Sequence, residues 1–167
     1  MSVAIYVGSF DPCHLGHIDI IHTAINILQV DRLVIGIGIN SSKTSLFTPF
    51  EREIMLHKSI AEADIPASKL MVESYSTLTG EFILLHQPNF IIRGMRDNSD
   101  AGIELNYART MNALYGIQTV LIPSHIHLSH ISSSLVRTIY SFNVDSPELL
   151  ALVPQCVHES LRKRGKE

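Results

Sequence analysis

Two histidines, His14 and His17, lie three residues apart in a segment that reads GSFDPCHLGH over residues 8–17. The segment follows an apolar run over residues 3–7, and glycines near its two ends let the backbone approach a ligand closely. A helix that begins within it offers free N–H groups and a positive dipole end to an anion. Imidazoles beside such a site can donate hydrogen bonds to phosphate oxygens as charge develops. The spacing alone fits equally a histidine that only caps a helix.

Two later segments also suit phosphate groups. RGMR, over residues 93–96, follows another apolar run, and arginine makes bidentate contacts with phosphate. On its own, such a pair more often makes surface ion pairs, here with Asp97 or Asp100. ISSS, over residues 131–134, brings three hydroxyls to a helix start, where they can hold nucleotide phosphates. A serine run alone is more often just a helix cap.

Strand-like and helix-like segments alternate along the chain. The predicted strands are residues 3–7, 33–37, 70–72, 90–92 and 119–122, and the predicted helices are residues 18–28, 49–63, 80–86, 103–114 and 132–142. This alternation predicts one domain over residues 1–167, an α/β fold with a doubly wound, parallel, five-stranded sheet and helices on both faces. Ligands of such folds bind beyond the carboxyl ends of the strands. Residues 147–167 are predicted as a final helical segment that forms a solvated tail.

Composition excludes several classes of protein. The 13 Lys and Arg against 16 Asp and Glu give a net charge of −3, which leaves no broad positive field to hold a nucleic acid. Two cysteines are too few for a disulfide framework, and no apolar run approaches the roughly 20 residues of a bilayer span. The sequence therefore predicts a soluble cytoplasmic protein without a membrane partner. No GxGxxG motif follows the first strand, which disfavours a dinucleotide-dependent dehydrogenase.

The first and last motifs together resemble the two signatures of the HxGH nucleotidylyltransferase superfamily, and IRGMR with the chain length resembles its bacterial phosphopantetheine adenylyltransferases over about residues 4–157. The resemblance implies a Rossmann-like fold, a homohexamer, and transfer of AMP from ATP to 4′-phosphopantetheine, with Mg²⁺ bound through the ATP phosphates. His14 stands where these enzymes commonly have Thr, which leaves nicotinate or nicotinamide mononucleotide adenylyltransferases as an alternative. A non-catalytic nucleotide-binding module is the other alternative.

The resemblance also implies roles for individual residues. Three are implied to be catalytic: His17, Lys43 and Arg93. The acceptor substrate is implied to bind at Ser9, Lys43, Thr79 and Arg93. ATP is implied to bind at Ser9, Phe10, His17, Gly94, Met95, Arg96, Glu104, Leu128, Ser129, His130, Ile131, Ser132, Ser133 and Ser134.

Some residues depart from the family pattern or suggest other chemistry. The family's aromatic residues are absent from residues 100–104, and Leu128 stands where some members have Trp. Three histidines at positions 125, 127 and 130 lack a neighbouring carboxylate or thiol, so no dedicated metal site is predicted. Cys13 has no base placed to activate it, and we interpret it as a small apolar core residue.

Overall fold

The structure is a computed structural model that describes residues 1–40, 42 and 44–165. Five parallel strands form its centre: β1 (Val3–Gly8), β2 (Arg32–Gly38), β3 (Leu70–Tyr75), β4 (Phe90–Met95) and β5 (Gln118–Pro123). They pair in the order β3-β2-β1-β4-β5, all in parallel. The predicted five-stranded parallel sheet is confirmed. The winding reverses between β1 and β4, which is where ligands bind in folds of this type.

Seven α-helices connect or flank the strands in the described residues: α1 (Leu15–His22), α2 (Pro49–Glu62), α3 (Thr79–His86), α4 (Asn98–Tyr115), α5 (Ser133–Phe142), α6 (Pro147–Leu150) and α7 (Gln155–Arg164). A π-helical turn, Thr23–Ile27, continues α1, and 3₁₀ turns occur at Ala67–Lys69 and Ile126–Leu128. In this part of the chain no helix is both long enough and apolar enough to cross a bilayer.

Both faces of the sheet carry an apolar core. Alternate residues of β1 point to opposite faces, so that Ala4 and Tyr6 join one cluster while Ile5 and Val7 join the other. The first cluster contains residues of α1, α2, α5, α6 and α7, and the second contains residues of α3 and α4. Helices therefore cover both faces, as predicted.

The predicted elements agree with the structure more closely at their apolar centres than at their ends. β3 and β4 each run three residues beyond the predicted strand, because backbone pairing continues past the apolar run and Arg93 still pairs with Leu121 of β5. α4 begins at Asn98, five residues before the predicted start. Its N-cap is Asp97, whose carboxylate accepts the N–H groups of Ser99 and Asp100 at 2.8 and 2.9 Å.

The start of α2 follows the predicted capping pattern. Thr48 Oγ1 accepts the N–H of Glu51 at 3.3 Å, and the Glu51 carboxylate accepts the N–H of Thr48 at 2.7 Å. Pro49 is the first helical residue. A box of this kind stabilises a helix by about 1 kcal/mol. The first helix departs from its predicted span, residues 18–28, since it begins at Leu15 and changes to π-helical geometry after His22.

The prediction of a solvated tail at the end of the chain is wrong. Leu149, Val157 and Leu161 are 0% exposed and belong to the larger apolar cluster. The backbone N–H of Leu15 donates to the carbonyl of Leu152 at 3.0 Å, which joins the start of α1 to this segment. The four-residue spacing of Val157 and Leu161 gives α7 an apolar face, and the basic end of the helix had masked that signal.

Candidate active site

The loop between β1 and α1 lies at the carboxyl edge of the sheet. Phe10, within it, has a φ of 48° and a fully buried ring, whose centroid is 5.4 Å from that of Tyr6 and 4.8 Å from that of His17. A non-glycine residue in the left-handed region is uncommon, and packing of the ring holds it there. The buried Phe10 ring therefore packs against the His17 ring. Phe10 can contact a ligand only through its backbone.

The two motif histidines form a stacked pair at the start of α1. Their ring centroids are 3.7 Å apart, and the backbone N–H of His14 donates to Nδ1 of His17 at 3.3 Å. Burial lowers the pKa of His14 to about 3, aided by the positive charge of Arg96. Burial also lowers the pKa of His17, aided by the charges of His14, Arg96 and Arg93. His17 is therefore a neutral imidazole with its proton on Nε2, a hydrogen-bond donor for an anion.

Arg93, in β4, is held on one edge by a carboxylate. Its Nε and one Nη donate to the two oxygens of Glu104 at 2.6 and 2.8 Å, and its other Nη donates to the carbonyl of Val7 at 2.9 Å. Burial alone would lower the pKa of Arg93, but the hydrogen bonds and charge of Glu104 raise it. The guanidinium is thus a permanent positive charge fixed between β1 and α4.

Arg96 makes the ion pair that sequence considerations allowed as an alternative. Its Nε and Nη2 donate to the carboxylate of Asp100 at 2.6 and 3.0 Å, and its Nη1 lies 3.5 Å from the carbonyl of Ile131. The pair lies between residues i and i+4 across the start of α4. The side chain of Arg96 is 38% exposed, so an anion entering from solvent can compete with Asp100 for it.

The serine segment forms the start of α5. Ser132 is the N-cap and accepts the N–H of Leu135 at 3.1 Å, while Ser133 Oγ donates to the carbonyl of Pro12 at 2.9 Å. Ser134 is exposed and accepts from Arg137 at 3.2 Å. The segment therefore packs directly on the loop after β1.

Two cavities open at the carboxyl edge of the sheet. The first cavity, of about 240 Å³, lies on the β5 side of β1 and is lined by His17, Gly94, Arg96, Glu104, Leu128, Ile131, Ser132 and Ser133 among others. The second cavity, of about 520 Å³, lies on the β2 and β3 side and is lined by residues that include Ser9, Asn40, Tyr75, Thr79 and Tyr107. Val7, Gly8 and Arg93 line both. A ligand in each cavity would therefore meet the other beside Arg93.

The structure brings most of the predicted site residues to these cavities. Eight of the predicted ATP residues line the first cavity. Ser9, which was implied to bind both ATP and the acceptor, lines the second cavity and not the first, and Thr79 also lines the second. The predicted residues Phe10, Met95, Ser129, His130 and Ser134 line neither cavity. Lys43 lies outside the described residues.

Two buried charged residues that the sequence had not indicated hold the site's loops together. The carboxylate of Asp11 accepts the N–H groups of Leu46 and Phe47 at 2.8 and 2.9 Å. Arg52, of α2, is 2% exposed and donates to the carbonyl of Ser9 at 2.8 Å. The position of Asp11 within the first motif was a signal that could have identified it. No spacing in the sequence distinguishes Arg52 from a surface arginine of α2.

Other chemistry considered from the sequence finds no support in the geometry. Cys13 is fully buried, and that burial raises the pKa of its thiol, so the reactive thiolate is disfavoured. His125 and His127 are exposed, with ring centroids 5.3 Å apart. Within residues 1–40, 42 and 44–165, no group of three His, Cys, Asp or Glu side chains is arranged to hold a metal ion.

Comparison with known proteins identifies relatives over the whole chain. A family model described as cytidylyltransferase-like matches residues 5–139. A phosphopantetheine adenylyltransferase of Leuconostoc citreum is 34% identical over 164 residues, covering 98% of this chain and 99% of that protein. One of Lachnoclostridium phytofermentans is 40% identical over 146 residues, covering 87% and 86% of the two chains.

A solved structure shares the fold. Plasmodium falciparum nicotinic acid mononucleotide adenylyltransferase, complexed with NaAD, superposes with a TM-score of 0.72 at 16% identity, covering 97% of this chain and 95% of that one. At this identity the similarity shows that the two chains share a Rossmann-like fold. It does not identify the acceptor substrate, which depends on the residues of each site.

Proposed function

The chain belongs to the phosphopantetheine adenylyltransferases, within the cytidylyltransferase-like family, and we propose that it transfers AMP from ATP to 4′-phosphopantetheine, giving dephospho-coenzyme A and pyrophosphate. One observation carries this proposal beyond the family: two cavities, each edged by groups that suit phosphate, meet at Arg93. A reaction that joins two phosphate esters needs such a junction.

We assign ATP to the first cavity. Arg96 and the start of α5, with Ser132 and Ser133, suit the β- and γ-phosphates, because a helix N-terminus and a guanidinium both favour an anion. His17 then faces the α-phosphate with its Nε2–H. Five residues that were implied to bind ATP do not line the cavity. We propose that they contact ATP through their backbone or where it extends past the cavity: Phe10, Met95, Ser129, His130 and Ser134.

We assign the acceptor to the second cavity. Ser9 and Thr79 line it, and Thr79 Oγ1 lies 3.1 Å from the hydroxyl of Tyr75. Arg93 reaches it with the part of its guanidinium that Glu104 leaves free, which suits the acceptor's phosphate. Lys43 remains a proposed second cation for that phosphate. The pantetheine arm would extend between the segments that follow β2 and β3.

The proposed chemistry is an in-line displacement. An oxygen of the acceptor phosphate forms a bond to the α-phosphorus of ATP, the bond from that phosphorus to the bridging oxygen breaks, and pyrophosphate leaves. The attacking phosphate is largely dianionic at neutral pH, with a second pKa of about 6, so no general base is needed. Catalysis then depends on alignment and on donors to the developing charge, for which His17 and Arg93 are positioned.

Magnesium is part of the proposal as an ion bound to ATP. Both carboxylates that line the first cavity are engaged by arginines, Asp100 by Arg96 and Glu104 by Arg93. This fits an ion held by phosphate oxygens, which is the usual arrangement for Mg²⁺, with the hydroxyls of Ser132 and Ser133 nearby. The ion would supply charge neutralisation on the departing pyrophosphate.

We also propose that the protein is cytoplasmic and forms a homohexamer. The free, buried thiols of Cys13 and Cys156 fit the reducing cytoplasm. The homohexamer is the assembly that the family resemblance implies, and a subunit interface on α3 and α4 would cover their exposed apolar side chains, of which Leu85, Ile103 and Leu114 are each more than half exposed. Light scattering of the purified protein tests the assembly.

The function is tested by pyrophosphate release from purified protein with Mg-ATP. Three acceptors are offered separately: 4′-phosphopantetheine, nicotinate mononucleotide, and pantetheine without its phosphate as the control. We expect release with phosphopantetheine alone. Release only with the mononucleotide would move the acceptor assignment to the alternative adenylyltransferases, and ATP binding without release from either would favour a non-catalytic module.

A further inference from the structure

The ring of Tyr107, in α4, lies against the arginine at the junction of the two cavities. The guanidinium carbon of Arg93 lies 4.7 Å from the centroid of the Tyr107 ring. Tyr107 lines the second cavity and is absent from the lining of the first. It follows Glu104 by three residues, so both side chains project from the same face of α4 toward Arg93.

The ring completes the fixation of Arg93. Glu104 holds one edge of the guanidinium with two hydrogen bonds, and the carbonyl of Val7 holds one Nη. Counted over residues 1–40, 42 and 44–165, these bonds use three of the five N–H groups and leave one on each terminal nitrogen for a ligand. Hydrogen bonds tolerate a range of donor angles, so these three bonds still leave the guanidinium some freedom to rotate. The guanidinium lies over the face of the Tyr107 ring, and rotation away from that position would lose the cation–π contact.

We propose that Tyr107 is a positioning residue for the acceptor phosphate, because its ring fixes the plane of Arg93 so that the two uncommitted N–H groups meet that phosphate in line with ATP. The inference rests on the proposed function in that it assigns this phosphate to the acceptor. The residue acts through Arg93 and needs no contact of its own with the acceptor.

The ring face, and not the hydroxyl, performs this role. The Tyr107 hydroxyl is buried and has no hydrogen-bond partner among the described residues. Burial raises the pKa of Tyr107 to about 12, so the hydroxyl stays neutral and adds no charge to the site. A phenylalanine at this position would keep the stacking face and remove an unpaired buried group.

The test measures binding of two acceptors that differ only in the phosphate. Dissociation constants for 4′-phosphopantetheine and for pantetheine are determined for the wild type, Tyr107→Phe and Tyr107→Leu. We expect Tyr107→Leu to weaken phosphopantetheine binding about fivefold and to leave pantetheine and ATP binding unchanged. Tyr107→Phe should stay within about twofold of the wild type for all three ligands.

A second comparison tests whether the effect passes through Arg93. In an Arg93→Lys background, which lacks the flat guanidinium, Tyr107→Leu should change phosphopantetheine binding by less than about twofold. Equal losses for pantetheine and phosphopantetheine would overturn the proposal in favour of direct contact with the pantetheine arm. Full additivity of the two substitutions, or no loss in Tyr107→Leu, would also overturn it.

The test separates this inference from the proposed function. If wild-type protein releases no pyrophosphate with phosphopantetheine, the proposed function fails. Inorganic phosphate then replaces the acceptor, titrated into protein that is saturated with a non-hydrolysable ATP analogue, so that the first cavity is filled. Weaker phosphate binding by Tyr107→Leu than by Tyr107→Phe would support the role of the ring, and equal binding would overturn it.

Discussion

Gly80 lies directly against the ring of Tyr115, and a Cβ at position 80 would overlap the Cζ of that ring. The two residues belong to α3 and α4, the helices that also carry Thr79 and Tyr107 to the second cavity. The missing side chain of Gly80 therefore sets how closely these two helices approach, and with that the shape of the cavity wall.

Replacement of Gly80 by alanine should destabilise the protein. The added methyl group must displace the Tyr115 ring, and overpacking of this kind costs about 1–3 kcal/mol of unfolding free energy. Denaturant unfolding measures the loss. Gly102→Ala is the matched control, because Gly102 is exposed in α4 and an added methyl group there would have no neighbour within 4 Å. It should instead stabilise by up to about 1 kcal/mol through helix propensity. Equal effects of the two substitutions would contradict the packing argument.

Glu104→Gln should both destabilise the fold and weaken acceptor binding. The substitution keeps the shape of Glu104 but leaves the partly buried charge of Arg93 without its anion, which we expect to cost about 2 kcal/mol. Kinetics should show a higher KM for phosphopantetheine, since the glutamine amide offers one acceptor atom where the carboxylate offers two and therefore holds Arg93 less firmly. Asp145→Asn is the control, because Asp145 pairs with Arg162 in an exposed ion pair, where losses are below about 1 kcal/mol. A higher KM in both variants would argue against a local role for Glu104.

Substitutions of His17 should separate catalysis from ATP binding. His17→Ala removes a donor to the developing charge, for which we expect a loss of about 100-fold in kcat with little change in ATP affinity. The amide nitrogen of glutamine lies about as far from the backbone as Nε2, whereas that of asparagine lies nearer the position of Nδ1. His17→Gln should therefore retain more activity than His17→Asn. Steady-state kinetics and ATP titration check this, and the reverse order would contradict the proposed Nε2–H donor.

The neutral state of His14 should make stability depend on pH. The pKa of His14 is about 3 in the folded protein and near 6.5 in an unfolded chain, so protons bind the unfolded state first as pH falls. The contribution of His14 to stability is thus largest above pH 6.5 and declines below it. Between pH 7 and pH 5, His14 alone contributes a loss of about 2 kcal/mol.

His14→Asn provides the comparison for this pH dependence. Asparagine is a good N-cap and does not titrate, so the variant should lose about 2 kcal/mol less than the wild type between pH 7 and pH 5. Denaturant unfolding at both pH values gives the difference. Parallel profiles of the two proteins would show that burial of His14 does not penalise its charged form.

Sequence patterns predicted the sheet because strands buried on both faces are nearly continuous apolar runs, as in residues 3–7 and 33–37. They predicted much less of the strand ends. Arg93 is polar, yet it belongs to β4 and pairs with Leu121 of β5. The helix α4, which contains Glu104, begins after its N-cap Asp97 and not at its first apolar residue. Backbone pairing and side-chain caps decide these boundaries, and neither leaves an apolar periodicity to detect.

The candidate site divides in the same way. The motif around His17 and the serines of α5 could be predicted as site residues, because their polar side chains directly follow or flank apolar segments. The ion pair between Arg93 and Glu104 could not be predicted, because the two residues were assigned to different ligands. The packing of α4 against β4 brings them together. Tyr107 had a detectable signal, its three-residue spacing from Glu104, but that spacing has meaning only once Arg93 is known to lie between them.

The two cavities occupy opposite halves of the sheet, and this makes donor and acceptor selection separable during evolution. The half formed with β5 and α5 carries the groups assigned to ATP, whereas the segments after β2 and β3 line the cavity assigned to the acceptor. Mutations in the second half can therefore accumulate and change the molecule that is adenylylated while the ATP-binding half is inherited intact. Among the described residues, Val7, Gly8 and Arg93 line both cavities, and these positions are constrained by both partners at once.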